Sequence, residues 1–182
     1  MSDFVKQTSL KGLFKVERAL NPDERGFFKE VFHLDELEGA IGFEFKPVQM
    51  NHSLSKPKVL RALHGEKWNK LVYPVTGKMF AAVVDIRPDS PTFGKYQTFE
   101  FSSEDRYALF IPVGFANSIC NMGEEDVNYV YLVDKYYDGS DTTAIAWDDP
   151  DVAVSWPIEN PIISERDKNN PRLRDLFPDK FK

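Results

Sequence analysis

The sequence predicts an all-β fold, a sandwich or small barrel. Three observations lead there. The chain carries 15 Phe, 7 Tyr and 3 Trp among 182 residues, and aromatic side chains suit a pleated, half-buried surface. Its 12 Pro and 10 Gly are dispersed rather than clustered, so they punctuate many short elements. Strand-like runs recur through the middle about every ten residues, the spacing of a sandwich or barrel.

The elements come in order along the chain. Residues 34–37 read as a short helix. Strand-like runs occupy 59–64, 70–75, 79–87, 96–101, 108–112 and 128–136. Turn signals part them: Thr76-Gly77, Asp89-Ser90-Pro91, Ser102-Ser103-Glu104-Asp105 and Gly123. Thr76-Gly77-Lys78 reads as a tight hairpin turn, and residues 171–177 as a second helix. No repeat, low-complexity tract or linker interrupts the pattern. The length suits one domain over 1–182 with terminal arms.

Alternation along the strands sorts their faces. In 128–136, Tyr129, Tyr131, Val133 and Lys135 share one face; Asn128, Val130, Leu132 and Asp134 share the other. In 59–64, Leu60, Ala62 and His64 share a face, which points the histidine toward an interior with room beside a small alanine. Strict alternation puts Arg61 on the opposite face. Either the strand twists or bulges there, or Arg61 serves a different part of the molecule.

Composition excludes several function classes. The net charge of −6 lacks the positive field of a nucleic-acid or anionic-membrane binder. The one cysteine, Cys120, excludes an internal disulfide framework and a thiol cluster for zinc. No apolar run approaches the ~18 residues of a membrane span. The start, Met1-Ser2-Asp3-Phe4-Val5-Lys6, has no apolar signal core. The expectation is a soluble cytoplasmic protein without nucleic-acid or membrane partners. The histidines His33, His52 and His64 do not pair one residue apart, as a cupin-type metal site wants. Phosphate-cradling and dinucleotide glycine motifs are absent too, so no metal is expected.

What stands out is an ordered set of local sequences. In sequence they are Asp23-Glu24-Arg25-Gly26-Phe27-Phe28-Lys29-Glu30, Gln49-Met50-Asn51-His52-Ser53, Val59-Leu60-Arg61-Ala62-Leu63-His64 and Lys70-Leu71-Val72. Val84-Asp85-Ile86-Arg87 comes next with Ser90-Pro91-Thr92-Phe93-Gly94, then Ile111-Pro112-Val113-Gly114-Phe115-Ala116-Asn117. Tyr131 precedes the pair Tyr136-Tyr137, and Trp147-Asp148-Asp149-Pro150, Trp156-Pro157 and Ser164-Glu165-Arg166-Asp167 close the series. Together, from Arg25 to Asp167, they resemble the dTDP-4-dehydrorhamnose 3,5-epimerase family. The resemblance implies a cupin-type jelly roll (a double-stranded β-helix), a homodimer, and epimerisation of a nucleotide-linked 4-keto-6-deoxy sugar with no cofactor.

That chemistry asks for three kinds of group. A ketone at C4 acidifies the hydrogens on C3 and C5. Inversion needs a base, a stabiliser for the enolate oxygen and an acid on the opposite face. By resemblance His64 is the base and Asp167 its carboxylate partner. Lys70 stands beside the ketone, and Tyr131 supplies the proton from the other side. Arg25, Glu30, Gln49, Asn51, Arg61, Asn117 and Arg166 match substrate-binding positions. Arginine's planar fork suits a diphosphate. Tyr136, Tyr137, Trp147 and Phe28 are candidates for stacking on base or sugar, with core packing the blander reading for most.

The chain also departs from the family pattern. Leu-Arg-Gly-Leu-His, followed by an aromatic and Gln, becomes Leu60-Arg61-Ala62-Leu63-His64-Gly65-Glu66, and the loop to Lys70 is shorter. A family histidine after Gly-Phe-Ala is Asn117, Gln-Asp-Asn becomes Gln49-Met50-Asn51, and a lysine before the last aspartate is Arg166. An expected glutamate is Thr142, next to Asp141. The four catalytic positions persist while binding positions change. Alternatives are therefore a single-centre epimerase, or one acting on another nucleotide sugar or a heptose. A non-catalytic carbohydrate-binding jelly roll is a further rival.

Overall fold

Met79-Phe80-Ala81-Ala82-Val83-Val84 has no polar alternation, so a strand there needs cover on both faces. The computed structural model of the protein supplies that cover. It describes residues 3–102, 107–138 and 143–182. The Ser103-Glu104-Asp105 part of the expected turn and positions Asp141 and Thr142 lie outside the described residues.

In chain order the elements are β1 (Val5–Gln7), β2 (Phe14–Val16), β3 (Asn21–Asp23), β4 (Gly26–Phe28), α1 (Leu34–Ile41), β5 (Gln49–Ser55), β6 (Leu60–Gly65), β7 (Lys70–Thr76) and β8 (Met79–Asp85). After these come β9 (Tyr96–Phe101), β10 (Ala108–Ile111), β11 (Phe115–Asn121), β12 (Val127–Val133), β13 (Thr143–Ala144), α2 (Glu165–Lys168) and α3 (Leu173–Leu176). A six-stranded sheet has the order β1-β2-β10-β7-β12-β5, and a five-stranded sheet the order β13-β6-β11-β8-β9. From β5 onward the chain passes repeatedly between the two sheets. This wrapping is a jelly roll, as the resemblance implies.

Three apolar layers hold the sheets. Val72, Met79, Ala81, Val83, Leu109, Phe115 and Ile119 meet between them. The alternate residues of β8, Phe80, Ala82 and Val84, pack with Leu60, Leu63, Ile145 and Leu173 and with the C-terminal aromatics Trp147 and Trp156. On the six-stranded sheet, Leu37 of α1 packs with Phe45, Leu71 and Phe110. Trp147 therefore belongs to the core.

The structure corrects one expectation about connections. Thr76-Gly77-Lys78 is not a hairpin turn, because β7 and β8 lie in different sheets. It is a corner, and Gly77 turns it with φ of +81°, a conformation that favours glycine. The loop from His64 to Lys70 likewise crosses from one sheet to the other. Strands β5 and β11 do not emerge from the sequence pattern, since Gln49–Ser55 is largely polar and Phe115–Asn121 mixes Asn and Ser into a wholly buried run. The helices at 34 and 171 are present, the first extended to Ile41.

Candidate active site

Three strands of one sheet and two of the other open a cavity of about 440 Å³ between them. Alternation sets the first wall. Gln49, Asn51 and Ser53 of β5 face inward, beside Lys70 and Val72 of β7 and beside Tyr129, Tyr131 and Val133 of β12, with Lys135 just beyond. Register binds them together: Tyr131 lies between Asn51 and Val72, and Val133 between Gln49 and Lys70. The four-residue face expected from Tyr129 to Lys135 is the face that lines the cavity.

The second wall carries Arg61, His64, Asn117 and Ile119. A β-bulge in β6 makes it. Asn117 of β11 lies opposite His64, and Ile119 opposite Arg61, so Ala62 and Leu63 together oppose Ser118. An extra residue on one strand re-aims the side chains that come after it. Arg61 and His64 therefore share a face, while Leu60, Ala62 and Leu63 pack into the outer core. The expected face of Leu60, Ala62 and His64 is thereby corrected, and of the options for Arg61 the bulge is the one found. Arg61 is held at the far end, where it donates to Ser55 Oγ and the Leu54 carbonyl.

His64 receives Asp167 from a distant part of the chain. Ser164 caps α2 by accepting from the Asp167 backbone N–H at 3.1 Å, which turns the carboxylate, 3% exposed, toward the imidazole. His64 Nε2 lies 2.9 Å from Asp167 Oδ1 and 3.0 Å from Arg166 Nη2. It cannot both donate to the carboxylate and accept from the guanidinium. The buried carboxylate is the stronger partner, since a charge-assisted bond there is poorly screened. Nε2–H then donates to Asp167, which leaves the Nδ1 lone pair free. Burial pushes the Asp167 carboxyl upward, but the His64 hydrogen bond, with the charge and hydrogen bond of the Arg166 guanidinium, outweighs it and holds it below the ordinary 3.8.

Lys70 sits at the centre, 6% exposed. Its ammonium pairs with the Glu66 carboxylate, donates to Asn117 Oδ1 at 3.3 Å and stands 4.9 Å from the centre of the Tyr131 ring. Asn117 in turn donates to the His64 carbonyl and to Glu66 Oε2. Burial, with the neighbouring Tyr129 and Glu66, pushes the Tyr131 phenol up to about 12. It keeps its proton throughout the physiological range.

Of the anticipated residues, His64, Lys70, Tyr131, Gln49, Asn51, Arg61, Asn117 and Arg166 line one cavity, with Asp167 behind His64. Arg25 and Glu30 do not join them. Arg25 is paired with Asp23 on the exposed β3–β4 hairpin, and Glu30 with Arg18 and His33. Glu66, Trp68, Ser53, Tyr129, Lys135 and Tyr137 line the cavity as well. Alternation already points to Tyr129 and Lys135, whereas Glu66 and Trp68 lie on a crossing loop with no periodicity to read. Among the described residues no cluster of three or more His, Cys, Asp or Glu is placed to hold a metal ion.

The sequence model of the family described as dTDP-4-dehydrorhamnose 3,5-epimerase matches residues 7–175. The chain belongs to that family. It is 37% identical over 175 residues to the dTDP-4-dehydrorhamnose 3,5-epimerase of Shigella flexneri, covering 94% of this chain and 96% of that one. To the enzyme of the same name from Methanothermobacter thermautotrophicus it is 37% identical over 178 residues, 94% and 95% of the two chains. Its fold matches the Legionella pneumophila 3,5-epimerase solved with dTDP-4-keto-L-rhamnose, with a TM-score of 0.87, 30% identity and coverage of 96% and 95%. Against the 3,5-epimerase family pattern, Gly65 replaces an aromatic residue, and the structure shows why. A Cβ there would lie 2.1 Å from the Thr143 carbonyl oxygen and 2.8 Å from Ile86 Cδ1, because β13 pairs directly over that position.

Proposed function

We propose that this protein is a cofactor-independent epimerase that inverts C3 and C5 of a nucleotide-linked 4-keto-6-deoxy sugar. The substrate is dTDP-4-dehydro-6-deoxy-D-glucose and the product dTDP-4-dehydro-L-rhamnose. One observation carries the reading: a histidine backed by a buried carboxylate and a proton-bearing tyrosine stand on opposite walls of a cavity, with a buried ammonium between them. Inversion requires that a proton leave one face of a carbon and another arrive on the opposite face.

His64 Nδ1 removes the proton next to the ketone, and Asp167 stabilises the imidazolium that forms. The enolate oxygen meets Lys70. An ammonium has three N–H donors; Glu66 and Asn117 take two, which leaves one for this oxygen. Such preorganised donors commonly contribute about 2.7–4 kcal/mol. Tyr131 delivers its proton from the β12 wall. Arg61 and Arg166 supply positive charge for the diphosphate, and Gln49 and Asn51 supply amides.

The homodimer belongs to the same proposal. The β3–β4 hairpin pairs with no other strand among the described residues and exposes Phe27 and Phe28 by 49% and 67%. Arg25 and Glu30, remote from their own cavity, would serve the second copy's. Sedimentation at twice 20.9 kDa supports this, and a lone 20.9 kDa species refutes it. The reaction is tested by incubating protein and dTDP-4-keto-6-deoxyglucose in deuterium oxide and following C3 and C5 by NMR. Deuterium at both carbons, with rhamno product, bears the proposal out. Exchange at one carbon marks a single-centre enzyme, and no exchange refutes the reaction.

A further inference from the structure

Glu66 is the only acidic side chain among the described residues that line the cavity, where Arg61, Lys70, Lys135 and Arg166 are cationic. A carboxylate repels a diphosphate, so in a site for a nucleotide sugar it belongs beside the neutral, hydroxyl-bearing part. Its position fits, at the Lys70 end and away from Arg61. The side chain is 13% exposed, and its hydrogen bonds are lopsided. Both Lys70 Nζ and Asn117 Nδ2 bond to Oε2, while Oε1 has no partner among the described residues. Oε1 is not sealed inside the protein; it opens on the cavity, where a hydroxyl of a bound sugar can donate to it.

We infer that Glu66 Oε1 accepts a hydrogen bond from the C3 hydroxyl of the sugar and selects substrates that carry it. The inference rests on the reaction proposed above. With Oε2 on the ammonium that faces the C4 oxygen, the adjacent Oε1 meets a substituent on a neighbouring carbon. C3 bears a hydroxyl, whereas C5 of a 6-deoxy sugar bears a methyl group, so only the first can donate. Glu66 thus has two functions: it is the counter-ion of Lys70 and a reader of the sugar.

The test is a double comparison by calorimetry in a His64→Asn background, which stops turnover. Binding of dTDP-4-keto-6-deoxyglucose and of its 3-deoxy analogue is measured with Glu66 intact and with Glu66→Ala. A hydrogen bond to a charged group predicts about 10- to 100-fold weaker binding of the 3-deoxy sugar when Glu66 is present. It predicts less than about a threefold difference once Glu66 is gone. Glu66→Gln keeps an oxygen acceptor and the shape, and should retain part of the discrimination if the alanine variant proves unstable. Equal loss with and without Glu66, in a protein whose parent exchanges substrate protons, overturns the role of Glu66 alone. A parent that neither binds nor exchanges the dTDP sugar overturns the reaction and this inference together.

Discussion

Replacing Asp167 by Asn removes one charge and little else. The Ser164 cap uses the backbone N–H of residue 167, so α2 should persist, and Asn Oδ1 can still accept from His64. What disappears is the attraction between carboxylate and imidazolium. At 2.9 Å and an effective dielectric of about 20, the gross Coulomb energy is about 6 kcal/mol. Desolvating the buried carboxylate offsets much of it, leaving the ~1.5–3 kcal/mol of a hydrogen bond to a charged group. The imidazolium forms only as the substrate proton moves, so the loss falls on the transition state. The expected result is a kcat about 10- to 150-fold lower with KM nearly unchanged, read from deuterium entry at C3 and C5. Stability supplies a second readout. Because the folded Asp167 carboxyl lies below its ordinary 3.8, its contribution is present above that value and lost as the pH falls through the folded one. Thermal melts of the two proteins should therefore differ at neutral pH and converge as acid is added. An unchanged kcat, or a raised KM at constant kcat, would refute the assignment of His64 and Asp167 as a unit.

The same geometry sets other outcomes. Tyr131→Phe should leave solvent deuterium entering next to the ketone while rhamno product falls about 10²- to 10⁴-fold; equal loss of exchange and inversion contradicts the division between base and acid. Gly65→Ala sets a Cβ against the Thr143 backbone, which cannot rotate away, and should cost about 1–3 kcal/mol in urea unfolding; a neutral effect would mean that β13 is not held there. Burial pushes the Cys120 thiol up to about 12, so at pH 8 a thiol-specific reagent should label the protein only after denaturant is added.

How legible a feature is in the sequence depends on how local its cause is. Alternation over Tyr129, Tyr131, Val133 and Lys135 needs only the period of a strand, and that face proved to be the cavity wall. The continuous apolar run of β8 announced cover on both sides. Strand β11 escaped because Asn117, Ser118 and Asn121 are polar yet buried, their partners being the His64 carbonyl, the Ala82 backbone, and the Ser55 and Glu125 carbonyls. Most of those partners are remote in sequence. Asp167 was legible as the partner of His64 only through the family resemblance, because no local pattern joins residues 103 apart in the chain.

By itself the sequence determined a β-rich chain, the order of its main strands, the family pattern and the residue types needed for proton transfer at a carbon beside a ketone. These depend on side-chain period and composition, which are local. Only the tertiary structure decided that β7 and β8 part into different sheets, that a bulge turns Arg61 to the same side as His64, and that Glu66 reaches Lys70. It also placed Arg25 and Glu30 outside the cavity of their own chain. Each of these depends on which strand lies opposite which, a register settled by packing two sheets face to face, and no single stretch of residues contains it.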